Sequence, residues 1–383
     1  MKVLYILNAA FMGGATISFI NMIEGLMVKG IIPIVVIPRW EIRDKVFMDY
    51  LESHHINYYE AFLTMSALHR PTNLLTSLRL CISCCSMMMK KLLSFYELMR
   101  IVEREKPNII HTNTGVIREG LYVARIKGIP HVIHLREYQD LDFNWLIFPS
   151  KSYFEKKITH SDYIITITEG IREHFHLNGK TNAITIYNGM FSRHDIHYNP
   201  NKQKYFLCAS RIIPEKGHKD VITAFAKFYK SHQEYNLLIA GFGDDTFIEE
   251  LKHFSLSQGC AEAVEFIGYQ KDVRPLMMNA TALVVASYYE GFGRMTAEAW
   301  FNGCIVIGRN TAGTKEILDI TGGYKFDNVS ELYASMEKII SLPEADYQQQ
   351  VLLGQAKAAD RFSNETNVSQ IYSLYINLQQ RNK

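Results

Sequence analysis

The sequence lacks the features that mark disulfide-rich, membrane-spanning and nucleic-acid-binding proteins. Its six cysteines are irregularly spaced, so a disulfide framework is not expected. The apolar run at residues 80–89 (LCISCCSMMM) is too short to span a bilayer. The formal net charge is only +2, which gives no strong field toward nucleic acid.

Further absences limit the cofactors and the targeting. The glycine turn at residues 11–16 lacks the G-x-G-x-x-G fingerprint, so an NAD-type cofactor is not supported. Cys81 and Cys84 form a C-x-x-C pattern, but no second pair or nearby histidine completes a zinc set. The apolar N-terminus is short and runs into Gly13 and Gly14, which indicates a first buried strand in a cytoplasmic protein rather than a signal peptide.

The residues that are present indicate a soluble α/β protein. A hydrophobic content of 48% and a charged content of 21% are typical of globular chains, and 383 residues favour two domains of similar size. Short β-branched runs followed by turns and helical segments are typical of buried parallel strands. The main runs lie at residues 2–10, 32–37, 109–112, 131–137, 163–169, 204–210, 235–240, 264–269 and 282–286.

The most informative stretch is residues 287–316 (SYYEGFGRMTAEAWFNGCIVIGRNTAGTKE). It follows the predicted strand at residues 282–286, with Glu290 at the strand's end. Gly291 and Gly293 provide a turn, and the helix that follows would aim unpaired N–H groups and its positive dipole end at an anion.

Two carboxylates frame this predicted anion site. Glu290 precedes the glycine turn, and Glu298 lies in the first turns of the helix. Because a carboxylate would repel a diphosphate, we expect both side chains to accept hydrogen bonds from sugar or ribose hydroxyls. Together these groups suggest a nucleotide-sugar site.

The spacing of Glu290 and Glu298, opened by EGFG, resembles the E-x7-E signature of retaining glycosyltransferases of family 4, and residues 313–316 resemble the donor-site loop that precedes the next helix in that family. The resemblance implies the GT-B fold, with two Rossmann-like, doubly wound parallel-sheet domains facing a central cleft. It further implies an acceptor-binding domain at residues 1–192, a donor domain at 193–363, and a C-terminal helix at 364–383 that crosses back to the first domain.

In the donor domain, the resemblance assigns Arg211 and Lys216 to the donor diphosphate. Two fixed cations would stabilise the charge of the leaving nucleoside diphosphate more in the transition state than in the ground state. Glu290 would bind the transferred sugar and Glu298 the ribose. The other donor-binding residues implied are Gly291, Phe292, Gly293, Arg294, Gly241, Gly243 and Tyr269, the last beside the nucleobase.

In the first domain, Gly13, Gly14 and Thr16 correspond to a loop that positions donor phosphate or acceptor. Family members carry a histidine near the end of the strand at residues 131–137, followed by an acidic residue. Here either His134 or Arg136 could fill that place, with Glu137 as the acidic neighbour, and the sequence leaves both possibilities open.

The resemblance implies transfer of a sugar, with retention of configuration, from a UDP- or GDP-linked donor to a carbohydrate or lipid-linked hydroxyl acceptor, as in synthesis of bacterial-type surface polysaccharide or glycolipid. We expect no cofactor and no metal, and we interpret the D-x-D at Asp140 and Asp142 as a loop feature. A sugar-nucleotide epimerase and a non-catalytic nucleotide-sugar-binding protein are the alternatives. The basic-flanked apolar segment within residues 74–98 is either a core helix or a contact with a membrane surface.

Overall fold

The computed structural model describes residues 1–39, 44–70, 74–142 and 144–381, without the side chains of His69 and residues 74–83. The side chain of Cys81 therefore lies outside the described part. The chain divides into two compact units, Met1–Gly189 with Asn364–Lys383, and Met190–Ser363. Each unit contains a parallel sheet flanked by helices, which confirms the prediction of an α/β chain with two Rossmann-like domains.

The first unit is built on a seven-stranded parallel sheet in the order β3-β2-β1-β5-β6-β8-β9. A separate antiparallel pair joins β4 to β7. The strands are β1 (Lys2–Ile6), β2 (Ile32–Pro38), β3 (Asn57–Ala61), β4 (Ala67–His69), β5 (Ile109–Thr112), β6 (His131–Leu135), β7 (Trp145–Ile147), β8 (Tyr163–Thr166) and β9 (Ala183–Thr185).

Helices connect these strands. They are α1 (Gly14–Val28), α2 (Lys45–Ser53), α3 (Leu74–Glu105), α4 (Glu119–Lys127), α5 (Lys151–Ile158) and α6 (Glu169–His174). The strand predicted through residue 169 ends at Thr166 instead. The Thr168 hydroxyl accepts a hydrogen bond from the Ile171 N–H, and this N-cap starts α6 where the apolar pattern alone predicted more strand.

The second unit carries a six-stranded parallel sheet in the order β12-β11-β10-β13-β14-β15. Its strands are β10 (Tyr205–Ala209), β11 (Asn236–Ala240), β12 (Val264–Gly268), β13 (Ala282–Val285), β14 (Val306–Arg309) and β15 (Tyr324–Phe326). Its helices are α7 (His218–Tyr229), α8 (Asp245–Ser257), α9 (Arg274–Asn279), α10 (Arg294–Phe301), α11 (Ala312–Thr321), α12 (Val329–Ile340) and α13 (Glu344–Phe362).

The last helix, α14 (Asn364–Arg381), belongs to the first unit. It packs on α1 so closely that a Cβ added at Gly25 would lie 2.4 Å from a methyl carbon of Val368. Further along α14, the fully buried Tyr375 hydroxyl bonds with His111 Nδ1 at the end of β5. The final segment is therefore part of the core of the N-terminal unit.

Strand order fixes where a ligand can sit in each unit. The direction of chain progression reverses between β1 and β5 in the first unit and between β10 and β13 in the second. Loops leaving the carboxyl ends of such neighbouring strands diverge and open a crevice, which is where ligands bind open α/β sheets. The candidate residues of each unit should therefore follow these strands.

None of the helices in the described ranges combines the length and apolar character needed to cross a bilayer.

One core contact gives a stability test. Gly354 of α13 lies against the fully buried Trp300, and a Cβ at this position would sit 2.2 Å from the indole ring. Alanine would gain about 1 kcal/mol in helix propensity, but overpacking against a buried ring costs about 1–3 kcal/mol. Because an approach of 2.2 Å is a severe overlap, the upper part of the overpacking cost, about 2–3 kcal/mol, applies, and we expect Gly354→Ala to lower the free energy of unfolding by about 1–2 kcal/mol in chemical denaturation. Leu353→Ala, at the neighbouring exposed position, is the control and should change it by less than about 0.5 kcal/mol.

Candidate functional site

The loops that follow β10 and β13 meet at the reversal of strand order in the second unit. The first loop makes a single 3₁₀ turn at Pro214–Lys216, and the second runs from residue 286 to residue 293. Lys216 Nζ donates to Glu290 Oε1 at 2.5 Å, and both side chains are only partly exposed. The structure thus places a predicted cation and a predicted acid together.

Backbone contacts hold these two loops in register. Tyr288 N donates to Glu215 O at 3.0 Å, next to the ion pair. Gly217 has a left-handed φ of 69°, and a Cβ there would lie 2.4 Å from Ala286 O. Because only glycine fits both the conformation and the contact, Gly217 is required for the loop to present Lys216 at this point.

The first turns of α10 and α11 converge beside Glu290. Gly313 N, in the first turn of α11, donates to Glu290 O at 3.0 Å. Gly293, the left-handed N-cap of α10, has the Thr296 and Thr314 hydroxyls within 3.4 Å of the position a Cβ would take. Both hydroxyls are buried and have no hydrogen-bond partner among the described residues. Two helix N-termini and two unused hydroxyls therefore surround one small region, an arrangement suited to an anion.

Two predictions about local structure in this region are wrong. Strand β13 ends at Val285, so Glu290 lies within the following loop and not at the strand's end. Residues 313–316 form the first turns of α11 and not a loop before a helix. The Thr311 hydroxyl donates to Tyr288 O, and this contact between loops starts α11 earlier than the residue pattern indicated.

Glu298, the second acid of the pair, lies one turn into α10. It forms an ion pair with Arg294 at 2.6 Å in the i, i+4 geometry, and its side chain is 12% exposed. The two predicted acids therefore each contact a different cation. Glu290 pairs with a residue of the preceding loop, and Glu298 pairs within its own helix.

The loop after β11 is joined to the loop after β10. Ile212 N donates to Phe242 O at 2.8 Å, and side chains at Gly241 or Gly243 would collide with the carbonyl oxygens of Ser210 and Ile212. These two glycines therefore permit a close approach of two loops.

Exposed side chains border this joined pair of loops. Phe242 and Tyr269 are 59% and 68% exposed and pack edge to face, with ring centroids 6.2 Å apart. Arg211 is exposed as well, with no ion pair to any described residue. Their rings and charge are available to a ligand.

Arg309, at the end of β14, contacts the start of the loop that carries Glu290. Its Nε donates to Ala286 O at 2.9 Å, and its Nη2 donates to Asp220 of α7. The guanidinium lies 4.5 Å from the centroid of the Tyr288 ring and 5.0 Å from that of Phe326. The loop is thus tied at its start, at Tyr288 and at Glu290, which leaves its acid little freedom.

In the first unit, His134 and Arg136 have different environments. His134 pairs with Ile165 inside the sheet and is fully buried. Its pKa lies well below the usual value, chiefly because of this burial and secondly because of the positive charge of Arg136 nearby. Arg136 follows the end of β6 and donates to Asn113 Oδ1 at 2.8 and 2.9 Å and to Asn188 Oδ1 at 2.8 Å. The carboxyl edge of the sheet therefore carries the arginine, with a neutral imidazole beneath it.

Glu137 lies beside Arg136 and accepts hydrogen bonds from the Thr114 hydroxyl at 3.0 Å and Gly115 N at 3.3 Å. Burial, and then the charge of Asp142, raises its pKa to about 7. The two acids of the D-x-D have separate partners. Asp142 accepts from Tyr138 N, whereas Asp140 contacts His174 at 2.6 Å.

The glycine loop after β1 lies at the same edge of this sheet. Gly13 is the N-cap of α1, Gly14 is its first residue, and Thr16 is buried in its first turn. Asp44 Oδ2 accepts a hydrogen bond from Met12 N at 3.2 Å and holds the loop. No charged side chain belongs to α1's first turn, so the loop offers backbone groups.

Several residues of these sites were not identified from the sequence. Asn113 directly follows β5, so the rule for carboxyl ends of strands could have identified it. Asn188, Arg309 and Tyr375 are brought in from distant segments, and no local pattern marks them. In the sequence, Thr296 and Thr314 look like ordinary helix residues. Their hydroxyls become neighbours only because the fold brings α10 and α11 together.

The fold and the second unit have counterparts among known proteins. Two Rossmann-like parallel-sheet units with the last helix returned to the first are the architecture of GT-B glycosyltransferases. Residues 192–351, almost the whole of the second unit, match the family model described as glycosyl transferases group 1. The second unit is therefore similar to the glycosyl transferases group 1 family.

Individual proteins are similar to this chain over part of their length. The uncharacterized glycosyltransferase MJ1178 of Methanocaldococcus jannaschii is 27% identical over 223 residues, which are 57% of this chain and 60% of the relative. A GDP-Man:Man(3)GlcNAc(2)-PP-Dol alpha-1,2-mannosyltransferase of Dictyostelium discoideum is 28% identical over 46% of this chain and 37% of its own length. The similarity thus spans less than two thirds of either relative.

Among solved structures, Alr3699/HepE of Anabaena in complex with UDP and glucose superposes with a TM-score of 0.75 at 20% identity. The superposition covers 98% of this chain and 100% of that chain, so the likeness extends over the whole fold.

The Arg309 contact can be tested by stability. Replacing Arg309 by leucine removes the donor to Ala286 O and the cation paired with Asp220, whose carboxylate keeps only the long hydrogen bond from the Tyr288 hydroxyl at 3.4 Å. The loss is costly because the arginine side chain is only 9% exposed. We expect Arg309→Leu to lower the free energy of unfolding by about 3 kcal/mol in urea denaturation. Lys315→Leu, which breaks the exposed pair with Asp319, is the matched control and should cost less than about 0.5 kcal/mol. A coupling energy near zero in the Arg309→Leu/Asp220→Asn cycle would contradict the assignment.

The raised pKa of Glu137 gives a pH dependence with a definite sign. A carboxyl whose pKa rises from 4.5 unfolded to about 7 folded contributes stability below pH 4.5, and this contribution is lost as the pH rises through about 7. Glu137→Gln removes that loss. Relative to the wild type, we expect the variant to gain about 1–3 kcal/mol between about pH 5 and pH 8, measured by denaturation at each pH. A difference that is flat or falls with pH would show that the carboxyl is not raised.

Proposed function

We propose that this chain is a retaining glycosyltransferase that moves a sugar from a nucleoside diphosphate sugar to a hydroxyl acceptor. The observation that carries the proposal is the site at the β10/β13 reversal. There Lys216, Glu290 and the N-termini of α10 and α11 lie together within a glycosyl transferases group 1 domain. A cation, an acid and two helix N-termini match the needs of a diphosphate joined to a polyhydroxyl group.

Each group has a role in this reaction. The bond between the anomeric carbon and the β-phosphate oxygen breaks, and its electron pair leaves with the nucleoside diphosphate. Lys216 and Arg211 stabilise the growing charge, and the buried hydroxyls of Thr296 and Thr314 donate to phosphate oxygens. The acceptor oxygen forms the new bond to the anomeric carbon and gives up its proton, which the departing phosphate accepts.

The acids bind the neutral parts of the donor. Glu290 accepts from hydroxyls of the transferred sugar, and the pairing with Lys216 holds its carboxylate in place. Glu298 accepts from the ribose, while Phe242 and Tyr269 offer exposed rings beside which a nucleobase fits. The name of the Anabaena structure includes UDP, and the name of the Dictyostelium enzyme includes GDP-Man. We therefore propose a UDP- or GDP-linked donor.

In the first unit we propose that Arg136 and Glu137, with the Gly13–Gly14 loop, serve the acceptor side, and that His134 supports Arg136 from within the sheet. The acceptor we propose is a carbohydrate or lipid-linked hydroxyl, in synthesis of surface polysaccharide or glycolipid. Because Arg211 and Lys216 supply positive charge at the diphosphate, we propose that the reaction needs no divalent metal, so turnover should survive EDTA.

A thermal-shift panel of UDP, GDP, ADP and their sugars tests the donor site. A ligand that binds only the folded state at about 100 times its Kd adds about 2.7 kcal/mol of stability, so the matching nucleotide should raise Tm clearly. Lys216→Met should abolish that shift, and Glu290→Gln should keep it for the free nucleotide. With the matching sugar nucleotide, both variants should lose about a hundredfold or more in turnover, measured as nucleoside diphosphate released.

Lys219→Met is the matched control, because Lys219 lies three residues further on in an exposed pair with Glu250 and should leave both readings unchanged. A nucleotide shift without any turnover would favour a binding protein. Consumption of a sugar nucleotide to its epimer would favour an epimerase, and product with the opposite anomeric configuration by NMR would reject retention. No shift with any nucleotide would reject the donor site itself.

A further inference from the structure

Helix α3 turns one face to the sheet of the first unit and the opposite face to solvent. Met87, Leu98 and Val102 are buried against the core, with 0–3% of each residue exposed. The solvent face carries apolar side chains instead of the polar ones expected there, and we call this set the apolar stripe. Its members are Cys85, Met88, Met89, Leu92, Leu93 and Tyr96.

The members of the apolar stripe form one continuous surface. They recur at spacings of three and four residues, which places them one above another on the same side of the helix. Met89 is 69% exposed and Leu92 is 72% exposed. At 1.5 Å per residue, the stripe runs for roughly 16 Å along the helix. Single exposed apolar residues are ordinary, but a continuous row of this length indicates a binding surface.

This surface differs from the apolar run found in the sequence at residues 80–89. Met87 belongs to the core face, and the side chains of residues 80–83 lie outside the described part. The stripe instead continues past the run to Tyr96. The same helix thus supplies core residues on one side and exposed apolar residues on the other.

Positive charge follows the apolar stripe along the same face. Arg100 and Arg104 lie four and eight residues beyond Tyr96 and are exposed, and the Arg100 guanidinium sits 5.8 Å from the Tyr96 ring centroid. The acid on this face, Glu103, is ion-paired with Lys127 at 2.6 Å. The surface is therefore apolar at one end and basic at the other, with a tyrosine between.

We propose that the apolar stripe, with Arg100 and Arg104, docks on the surface of an anionic lipid bilayer, with α3 lying in the interface. The aliphatic side chains would enter the acyl boundary, Tyr96 would sit at the level of the headgroups, and the two arginines would contact lipid phosphates. Charge complementarity selects a bilayer as the occupant, because an anionic surface satisfies the arginines and an acyl layer covers the stripe together. The surface belongs to one unit and needs no sugar donor, so its test is independent of the proposed transfer.

The test is flotation of the full-length protein with two kinds of vesicle, one of phosphatidylcholine alone and one with about one third phosphatidylglycerol. The wild type should float with the anionic vesicles, and added salt should weaken the binding. Leu92→Glu/Leu93→Glu should weaken it about tenfold or more, because two exposed apolar contacts become charges that anionic lipid repels. Arg100→Gln/Arg104→Gln should weaken it about fivefold for each charge removed, on the anionic vesicles only.

Leu352→Glu/Leu353→Glu is the matched control, because these exposed leucines lie on α13 of the other unit and should not affect flotation. Unchanged circular dichroism and Tm of the stripe variant exclude misfolding. The proposal is overturned if the wild type does not float with anionic vesicles, or if the Leu92/Leu93 variant floats as well as the wild type. It is also overturned if the stripe variant changes only self-association in sedimentation velocity, since the occupant would then be a second copy of the chain.

Discussion

The candidate donor site depends on one constraint, the reversal of strand order between β10 and β13. Parallel strands end at the same edge of a sheet, and where the order reverses, the two following loops leave in opposite directions. In this protein they are drawn together again by the Lys216–Glu290 pair and by Tyr288 N bonding to Glu215 O. The reversal creates the space, and these contacts decide which side chains border it.

Several hydrogen bonds restrain the loop that carries Glu290. Arg309 holds the start of the Glu290 loop, Thr311 holds its middle, and Gly313 N holds the carbonyl of Glu290. Electrostatic stabilisation is effective when charges and dipoles are already oriented before the reaction begins, because then no free energy is spent on turning them. The hydrogen bonds of this short loop are consistent with that requirement, because they hold Glu290 between Lys216 and the N-termini of α10 and α11.

The first unit follows a different principle, in which buried polar groups are joined in a network. His111 bonds to Tyr375 of the last helix, and Arg136 is held by Asn113 and Asn188. Burial keeps the histidines neutral, so the arginine is not opposed by a second charge beneath it. Because α14 supplies one of these contacts, the segment farthest along the chain helps to order strands near its beginning.

The sequence by itself determined the fold class, because strand, turn and helix alternate in patterns of local residues. It also pointed to the EGFG segment and to residues 211–216 as candidate site loops, because each of these motifs is contiguous. It did not determine where β13 ends, that α11 begins at Ala312, or which of His134 and Arg136 reaches the sheet edge. Those outcomes depend on hydrogen bonds between distant loops and on strand register. Only the tertiary structure decided that Arg309 and Tyr375 join the sites, because side chains far apart in sequence acquire a common environment when the sheets assemble.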